Sequence, residues 1–170
     1  MKFKKNILSL FIAFLLCVAF FISFTNTVLS ANAVEIDDII RTTQLDESGK
    51  KITFSPDELT RGKRVFNATC AQCHNGGITK TNPNIGLDME SLSLAVPPRD
   101  NINNLVDYMK RPTSYDGTTF ISELHPSTAG AENFPKMRNL TDDDLFCIAG
   151  YILNQAQLSP EKWGGGKIYY

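Results

Sequence analysis

The stretch from Cys70 to His74 places two thiols three positions apart and an imidazole directly after the second thiol. This Cys-Ala-Gln-Cys-His pattern is the one that covalent attachment of a c-type haem requires. Each thiol adds across one vinyl group of the macrocycle, and the short step from Cys70 to Cys73 lets one turn of backbone reach both groups. His74 then lies beside the iron as its proximal ligand. The motif therefore predicts one covalently attached haem c.

Two other kinds of site also use paired cysteines. A redox-active Cys-x-x-Cys pair opens a helix directly after a buried strand, whereas this pair follows an amphipathic segment with no alternation of strands and helices around it. A structural zinc site needs two further ligands at matching spacing. Beyond residue 33 the only other His or Cys residues are His125 and Cys147, which are far apart in the sequence. Both alternatives are weaker than haem attachment.

The distal side of the iron has four candidate ligands, His125, Met89, Met109 and Met137. Met137 stands near the position where His/Met cytochromes keep their sulfur ligand, whereas core packing explains Met89 and Met109 better. His125 has a modest advantage, because a lone imidazole in an uncharged loop beside Pro126 has an obvious partner in a haem iron. Either choice fills both axial positions. This predicts a haem that moves electrons or holds structure rather than one that binds a substrate.

The first 33 residues differ in composition from the rest of the chain. Lysines within the first five residues precede an apolar run over residues 7–24, and Ala-Asn-Ala follows at residues 31–33. This pattern is typical of a secretory signal peptide, here cleaved after residue 33. The apolar run approaches the length of a membrane-spanning helix, so an uncleaved anchor is the alternative. Removing the leader takes away lysines but no carboxylates, and the acidic remainder argues against a nucleic-acid binder.

Two helices are predicted to enclose the haem motif. The sequence Ser-Pro-Asp-Glu at residues 55–58 combines an N-cap, a first-turn proline and a capping box. Gly62 and Phe66 in this helix resemble the glycine and aromatic pair of small monohaem cytochromes c, where the glycine lets the last helix cross closely. Thr141 and the three aspartates after it predict the start of that last helix. Its apolar stripe consists of Leu145, Ile148, Ala149 and Ile152.

The region between these helices is predicted to wrap the haem. Residues 88–94 have the pattern of a short helix, and Asp100 is a candidate cap for a further helix that ends before Pro112. Residues 113–139 form a long irregular stretch rich in Pro, Gly, Ser and Thr. A loop of that length inside one domain usually carries function. Its expected task is to cover the distal haem face.

The part of the chain from residue 34 to residue 170 is predicted to be one domain. It should be mainly α, with a small monohaem cytochrome c fold and a short N-terminal β-hairpin within residues 34–54. The hairpin is predicted because two short β-prone runs flank a turn-rich insert at residues 46–50. An isolated hairpin is marginal in water, so it should lean on the haem domain or on a partner.

Three further stretches make a more specific resemblance. They are Lys-Arg-Pro-Thr-Ser-Tyr-Asp-Gly at residues 110–117, Leu-His-Pro-Ser at residues 124–127 and Lys-Trp-Gly-Gly-Gly-Lys-Ile-Tyr-Tyr at residues 162–170. Together with the haem motif, they resemble the extrinsic cytochrome c-550 family of photosystem II. The resemblance implies covalent haem at Cys70 and Cys73, with His74 as proximal and His125 as distal iron ligand. It also implies an unusually low reduction potential and a location in the thylakoid lumen.

The same resemblance implies a role as an accessory subunit rather than an enzyme. Members of the family dock on the lumenal face of the photosystem II core, beside other extrinsic subunits, and support the oxygen-evolving complex and its calcium and chloride requirement. Association with the membrane is then peripheral and goes through protein. The alternative is a soluble lumenal electron carrier, which should have His/Met ligation and a small, weak docking patch.

The carboxyl-terminal stretch is predicted to be a docking tail over residues 162–170. Trp163, Ile168, Tyr169 and Tyr170 surround a run of three glycines. Aromatic side chains are costly to leave in water and are favoured at the centres of interfaces. The alternative is a frayed terminus.

Overall fold

The computed structural model describes residues 37–165. The predicted leader, residues 1–33, and the last five residues of the predicted docking tail therefore lie outside the described part. From Arg41 onward the chain forms a hairpin, a set of helices and long connecting loops. The strands are β1 (Thr42–Gln44) and β2 (Lys51–Thr53), and the helices are α1 (Pro56–Thr69), α2 (Ala71–His74), α3 (Met89–Ser93), α4 (Ile102–Lys110) and α5 (Asp142–Leu158). The prediction of a mainly α fold with a short amino-terminal hairpin is confirmed.

The hairpin packs on the last helix, as its small size requires. Its strands are antiparallel, with Thr43 opposite Ile52. Thr43 is buried, and its hydroxyl oxygen lies 3.0 Å from the side-chain nitrogen of Gln157 in α5. Phe54, directly after β2, is 1% exposed, and its ring lies 4.9 Å from that of Phe146 in α5. The hairpin is therefore held by the helical core.

Helices α1 and α5 cross closely at Gly62. A Cβ atom on Gly62 would lie 2.0 Å from the carbonyl oxygen of Cys147, so any side chain there would push the helices apart. The capping box predicted for α1 is present, and the predicted cap of α5, Thr141, also forms one. The Ser55 hydroxyl accepts from the Glu58 backbone N–H at 3.2 Å, and Thr141 does the same for Asp144 at 3.2 Å. The crossing anticipated from the glycine is confirmed.

Helix α4 begins one residue later than its predicted cap. The side chain of Asn101, and not that of Asp100, accepts a hydrogen bond from the Asn104 backbone N–H at 3.0 Å. Asn101 is 1% exposed, whereas Asp100 is only half-buried. The buried amide can satisfy the helix end without the cost of burying a charge. None of the described helices is long and apolar enough to cross a membrane.

The burial of Trp163 corrects part of the predicted docking tail. Its side chain is 5% exposed and packs in the core, with ring centroids 5.7 Å from Phe66 and 5.7 Å from Tyr151. The indole N–H donates to the Leu87 carbonyl at 2.8 Å. An indole with its apolar face and its N–H both satisfied inside the domain is unavailable to a partner. Trp163 is therefore a core residue, and Ile168, Tyr169 and Tyr170 fall outside the described residues.

Candidate haem site

A cavity of about 320 Å³ opens between the carboxyl end of α1, helix α4 and the loop that follows it. The four residues that the sequence singled out all line it: Cys70, Cys73, His74 and His125. The buried core residues Phe66 and Ile148 form part of its apolar wall. The fold therefore brings a thiol pair and two imidazoles to one apolar chamber, although His125 comes from a loop far along the chain from the motif.

The two imidazoles are spaced as a single metal ion would require. The ring centroids of His74 and His125 lie 6.0 Å apart, with their planes at 50°. A bond of about 2 Å from a metal to each ring nitrogen places two opposed nitrogens about 4 Å apart and the ring centroids roughly 6 Å apart. The observed separation matches this value, so the pair fits one iron between them.

His74 ends the short helix α2, and a neighbouring hydroxyl orients its ring. The backbone N–H of His74 donates to the Cys70 carbonyl at 2.9 Å, which winds the motif into one turn. Nδ1 of His74 lies 3.2 Å from the Thr79 hydroxyl oxygen, so Nε2 is left for a metal. Burial lowers the pKa of His74, which favours the neutral form that ligates metals.

Packing, rather than hydrogen bonds to other side chains, holds the ring of His125 in place. Its backbone N–H donates to the Ile121 carbonyl at 2.8 Å. Burial, and then the facing His74, lower the pKa of His125 to about 4, and the nearby Pro126 carbonyl opposes this shift. Nδ1 is buried without a partner in hydrogen-bond geometry among the described residues. The ring packs 5.1 Å from that of Tyr108. The result is a neutral imidazole held at the cavity wall.

The two cysteines have the arrangement of attachment points rather than of a redox pair. Both thiols are free. Burial raises the pKa of the Cys70 thiol, with a smaller opposing effect of the Thr69 hydroxyl. Reactive cysteines in redox-active Cys-x-x-Cys pairs instead have a lowered pKa. No cluster of three or more His, Cys, Asp or Glu side chains that could hold a metal ion occurs within residues 37–165, which also disfavours the zinc alternative.

The methionines divide between the cavity wall and its surroundings. Met109 and Met137 are buried and line the cavity, whereas the half-buried Met89 does not line it. Met109 and Met137 both belong to the hydrophobic core, which agrees with the packing role predicted for Met109. Met137, in a 3-10 turn over Pro135–Met137, is the thioether that a His/Met cytochrome would use. The distance between the two imidazole rings is the feature that favours His125 over Met137.

Arg99 is a part of the cavity wall that the sequence interpretation missed. It is 7% exposed, and its guanidinium carbon lies 3.8 Å above the centre of the Tyr108 ring. One terminal nitrogen, Nη2, donates to the backbone carbonyls of Thr113 and Ser114 at 3.1 Å and 2.9 Å. Nε is buried without a partner among the described residues. Burial lowers the pKa of Arg99, with opposing contributions from Tyr108 and Tyr115.

A buried guanidinium with an unpartnered N–H fits a cavity whose ligand carries acidic groups. A haem has two carboxylate side groups, and a carboxylate would supply the partner that Nε lacks. No sequence signal marks Arg99, because it stands between Pro98 and Asp100 and its partners are distant in the chain. The helix pair, the Cys-x-x-Cys-His turn and the two imidazoles together define the class as a small c-type cytochrome.

Comparison with known proteins gives the particular family within that class. The sequence model of the cytochrome c-550 domain family matches residues 34–170 of this chain. Photosystem II extrinsic protein V of Gracilaria tenuistipitata var. liui is 69% identical over 138 residues, which cover 81% of this chain and 84% of the relative. The protein of the same name from Porphyra purpurea is 65% identical over 138 residues, which cover 81% of this chain and 85% of that relative. The chain belongs to the cytochrome c-550 family, and membership implies a c-type haem.

A solved structure gives the same fold. The crystal structure of cytochrome c549 is similar with a TM-score of 0.72 at 52% sequence identity, and the likeness covers 74% of this chain and 98% of that chain. The resemblance noted from the sequence is therefore confirmed at the level of family and fold.

Proposed function

We propose that this chain is an extrinsic haem subunit of photosystem II that stabilises the oxygen-evolving complex and supports its calcium and chloride requirement. The observation that carries the proposal is the pair of imidazoles, His74 and His125, whose ring centroids lie 6.0 Å apart in a cavity that Cys70 and Cys73 also line. Relatives with 69% and 65% identity are named photosystem II extrinsic protein V, which supports the choice of complex.

The proposed cofactor is one haem c. Cys70 and Cys73 would hold it through thioether bonds, with His74 as the proximal iron ligand and His125 as the distal one. The group supplies a one-electron redox centre when bound. Two imidazoles give a lower reduction potential than an imidazole and a thioether do. Because His74 and His125 would both hold the iron, no open site would remain for a substrate, and the chain would act as an accessory subunit rather than an enzyme.

The proposed partners are the core subunits of photosystem II and its other extrinsic subunits, on the lumenal side of the thylakoid membrane. Association goes through protein contacts and does not involve nucleic acid. Within the predicted docking tail, Ile168, Tyr169 and Tyr170 remain the candidates for the interface, because aromatic side chains are favoured there. Trp163 is not among them, since its side chain is buried in the core.

The alternative function is a soluble lumenal electron carrier. The observation that favours an electron carrier is the buried thioether of Met137 in the cavity wall. A carrier should have a higher potential and should leave its partner after each transfer. An accessory subunit should copurify with the complex and should need salt for its removal.

Rebinding to salt-washed photosystem II complexes tests the proposal. We expect the purified holoprotein to rebind and to restore oxygen evolution in medium low in calcium and chloride. A chain ending at Gly165 should rebind weakly while keeping its haem spectrum. Ending the chain at Glu161 is a poorer test, because it also removes the buried Trp163. Failure of the full-length protein to rebind, with a high reduction potential, would favour the carrier. Full rebinding by the chain ending at Gly165 would exclude the tail as the anchor.

A further inference from the structure

The segment Trp163–Gly164 is tied to a loop that forms part of the haem cavity. We name residues 77–87 the proximal loop. The indole N–H of Trp163 donates to the carbonyl of Leu87, at one end of this loop, at 2.8 Å. The backbone N–H of Gly164 donates to the carbonyl of Gly76, just before the other end, at 2.9 Å. The carboxyl-terminal segment thus binds both ends of the proximal loop.

The proximal loop is itself closed and faces the iron ligand. The backbone N–H of Leu87 donates to the Gly77 carbonyl at 2.7 Å, which joins the two ends of the loop. Thr79 in the loop places its hydroxyl oxygen 3.2 Å from Nδ1 of His74. Thr79 and Ile85 both line the cavity. Any displacement of the loop therefore moves the hydrogen-bond partner of His74.

The contact between the segment Trp163–Gly164 and the proximal loop is tightly packed. Gly77 and Gly164 have φ angles of +80° and +78°, in the region that favours glycine. A Cβ atom on Gly77 would lie 2.7 Å from the Trp163 ring and 2.6 Å from the Gly164 nitrogen. A Cβ atom on Gly164 would lie 2.8 Å from Cβ of Asp88. The indole therefore lies directly against loop backbone, and its shape fixes where the loop sits.

We propose that Trp163 is a positioning residue for the proximal haem ligand: it holds the proximal loop, and with it Thr79, against His74. The inference rests on the proposed ligation of iron by His74. When Nε2 of His74 binds the metal, Nδ1 carries the proton and donates to the Thr79 hydroxyl. This hydrogen bond fixes the ring orientation and increases electron donation to the metal. A loosened loop weakens the bond, so the reduction potential should rise.

The experiment compares holoprotein variants that remove different parts of the contact. Trp163→Leu removes the aromatic ring system and the N–H. Trp163→Phe removes the N–H and part of the indole but keeps an aromatic ring, and Thr79→Val removes the hydroxyl. Phe54→Leu is the matched control, because Phe54 is an equally buried core aromatic that does not line the cavity. The measurements are the reduction potential, the NMR signals of the His74 ring and the hydrogen exchange of the Leu87 amide.

We expect Trp163→Leu and Thr79→Val to raise the potential and to shift the His74 signals in the same direction. Exchange of the Leu87 amide should speed up about tenfold or more in Trp163→Leu, and by less in Trp163→Phe. Phe54→Leu should lose thermal stability without these changes. Unchanged potential and His74 signals in Trp163→Leu would overturn the inference, as would equal shifts in Phe54→Leu. His74 is the proximal ligand in both the subunit and the carrier, so failure of the proposed docking would leave this result unaffected.

Discussion

Different kinds of interaction hold the imidazole rings on the two faces of the haem cavity. On the proximal face, His74 belongs to the haem motif itself, and its Nδ1 has a hydroxyl partner in Thr79 at 3.2 Å. On the distal face, His125 comes from a long loop, and its Nδ1 has no side-chain partner among the described residues, although the backbone carbonyl of the adjacent Pro126 lies near the ring. Its ring packs instead against Tyr108, which Arg99 covers from the cavity wall.

This difference predicts how each face responds to substitution. A hydrogen bond is directional, so the proximal ring has a defined rotation as well as a position. Packing fixes volume more strongly than direction, so the distal face should accept another ligand of similar size. The proximal face should therefore tune the iron, whereas the distal face decides which atom binds it.

The largest effect is expected from His125→Met. The distal position is defined by packing, so a methionine there can supply a sulfur ligand without refolding the loop. A thioether raises the potential and favours the ferrous iron. The ferric spectrum should gain the weak far-red charge-transfer band of sulfur ligation, and a redox titration should show a clear rise in potential.

The control for this substitution is Met137→Leu, which changes a buried cavity residue of similar volume. It should leave the ligand field and the potential unchanged. If Met137→Leu alone makes the haem high-spin, Met137 is the distal ligand. The contrast between a hydrogen-bonded and a packed imidazole would then fail.

A matched pair of glycines tests whether the two faces are independent. Gly77 in the proximal loop and Gly117 in the loop that leads from α4 to His125 have φ angles of +80° and +75°. A Cβ atom would lie 2.6 Å from the Gly164 nitrogen in the first case and 2.5 Å from the Val96 carbonyl oxygen in the second. Each Gly→Ala substitution should cost about 1–3 kcal/mol of unfolding free energy, measured with denaturant.

The two alanine variants should differ in what happens at the iron. Gly77→Ala should shift the His74 signals and the potential, because it displaces the proximal loop. Gly117→Ala should lose similar stability and leave the His74 signals in place. Equal changes at His74 in both variants would mean that the two faces respond as one unit.

Local sequence signals predicted the elements that frame the cavity. The capping box of α1 depends on Ser55 and Glu58, which are close in the chain, so the sequence alone contains the whole interaction. The haem motif is equally local, because one helical turn carries both thiols and His74. The cap of α4 shows the limit of such signals, since Asp100 and Asn101 are both good caps and tertiary burial selects Asn101.

Residues defined by long-range contacts were beyond the sequence interpretation. Trp163 lies beside a glycine run and resembles an interface aromatic, yet its indole partner, Leu87, is far away in the chain. Arg99 has the same character, because its contacts come from α4 and from the loop after it. Whether an aromatic or charged residue is buried depends on tertiary packing, and a local sequence pattern does not contain that information.

The smallest effect is expected from Arg99, which acts on the distal face through its charge and through the Tyr108 ring. Arg99 is 7% exposed, and no ion pair with its guanidinium is seen among residues 37–165. A buried positive charge near the iron favours the reduced state, since reduction removes one positive charge. Arg99→Met should therefore lower the potential and loosen the packing of Tyr108 against His125.

Arg99→Lys separates the two contributions. Lysine keeps the charge, but it lacks the planar group that lies 3.8 Å above Tyr108 and donates to the Ser114 carbonyl. We expect its potential to stay nearer to that of the parent protein, while the NMR signals of the His125 ring shift as they do in Arg99→Met. The His74 signals should stay unchanged in both variants, because the proximal hydrogen bond does not involve Arg99. A shift at His74 as large as that at His125 would show that Arg99 acts on the whole cavity, and the division between a packed distal face and a hydrogen-bonded proximal face would be wrong.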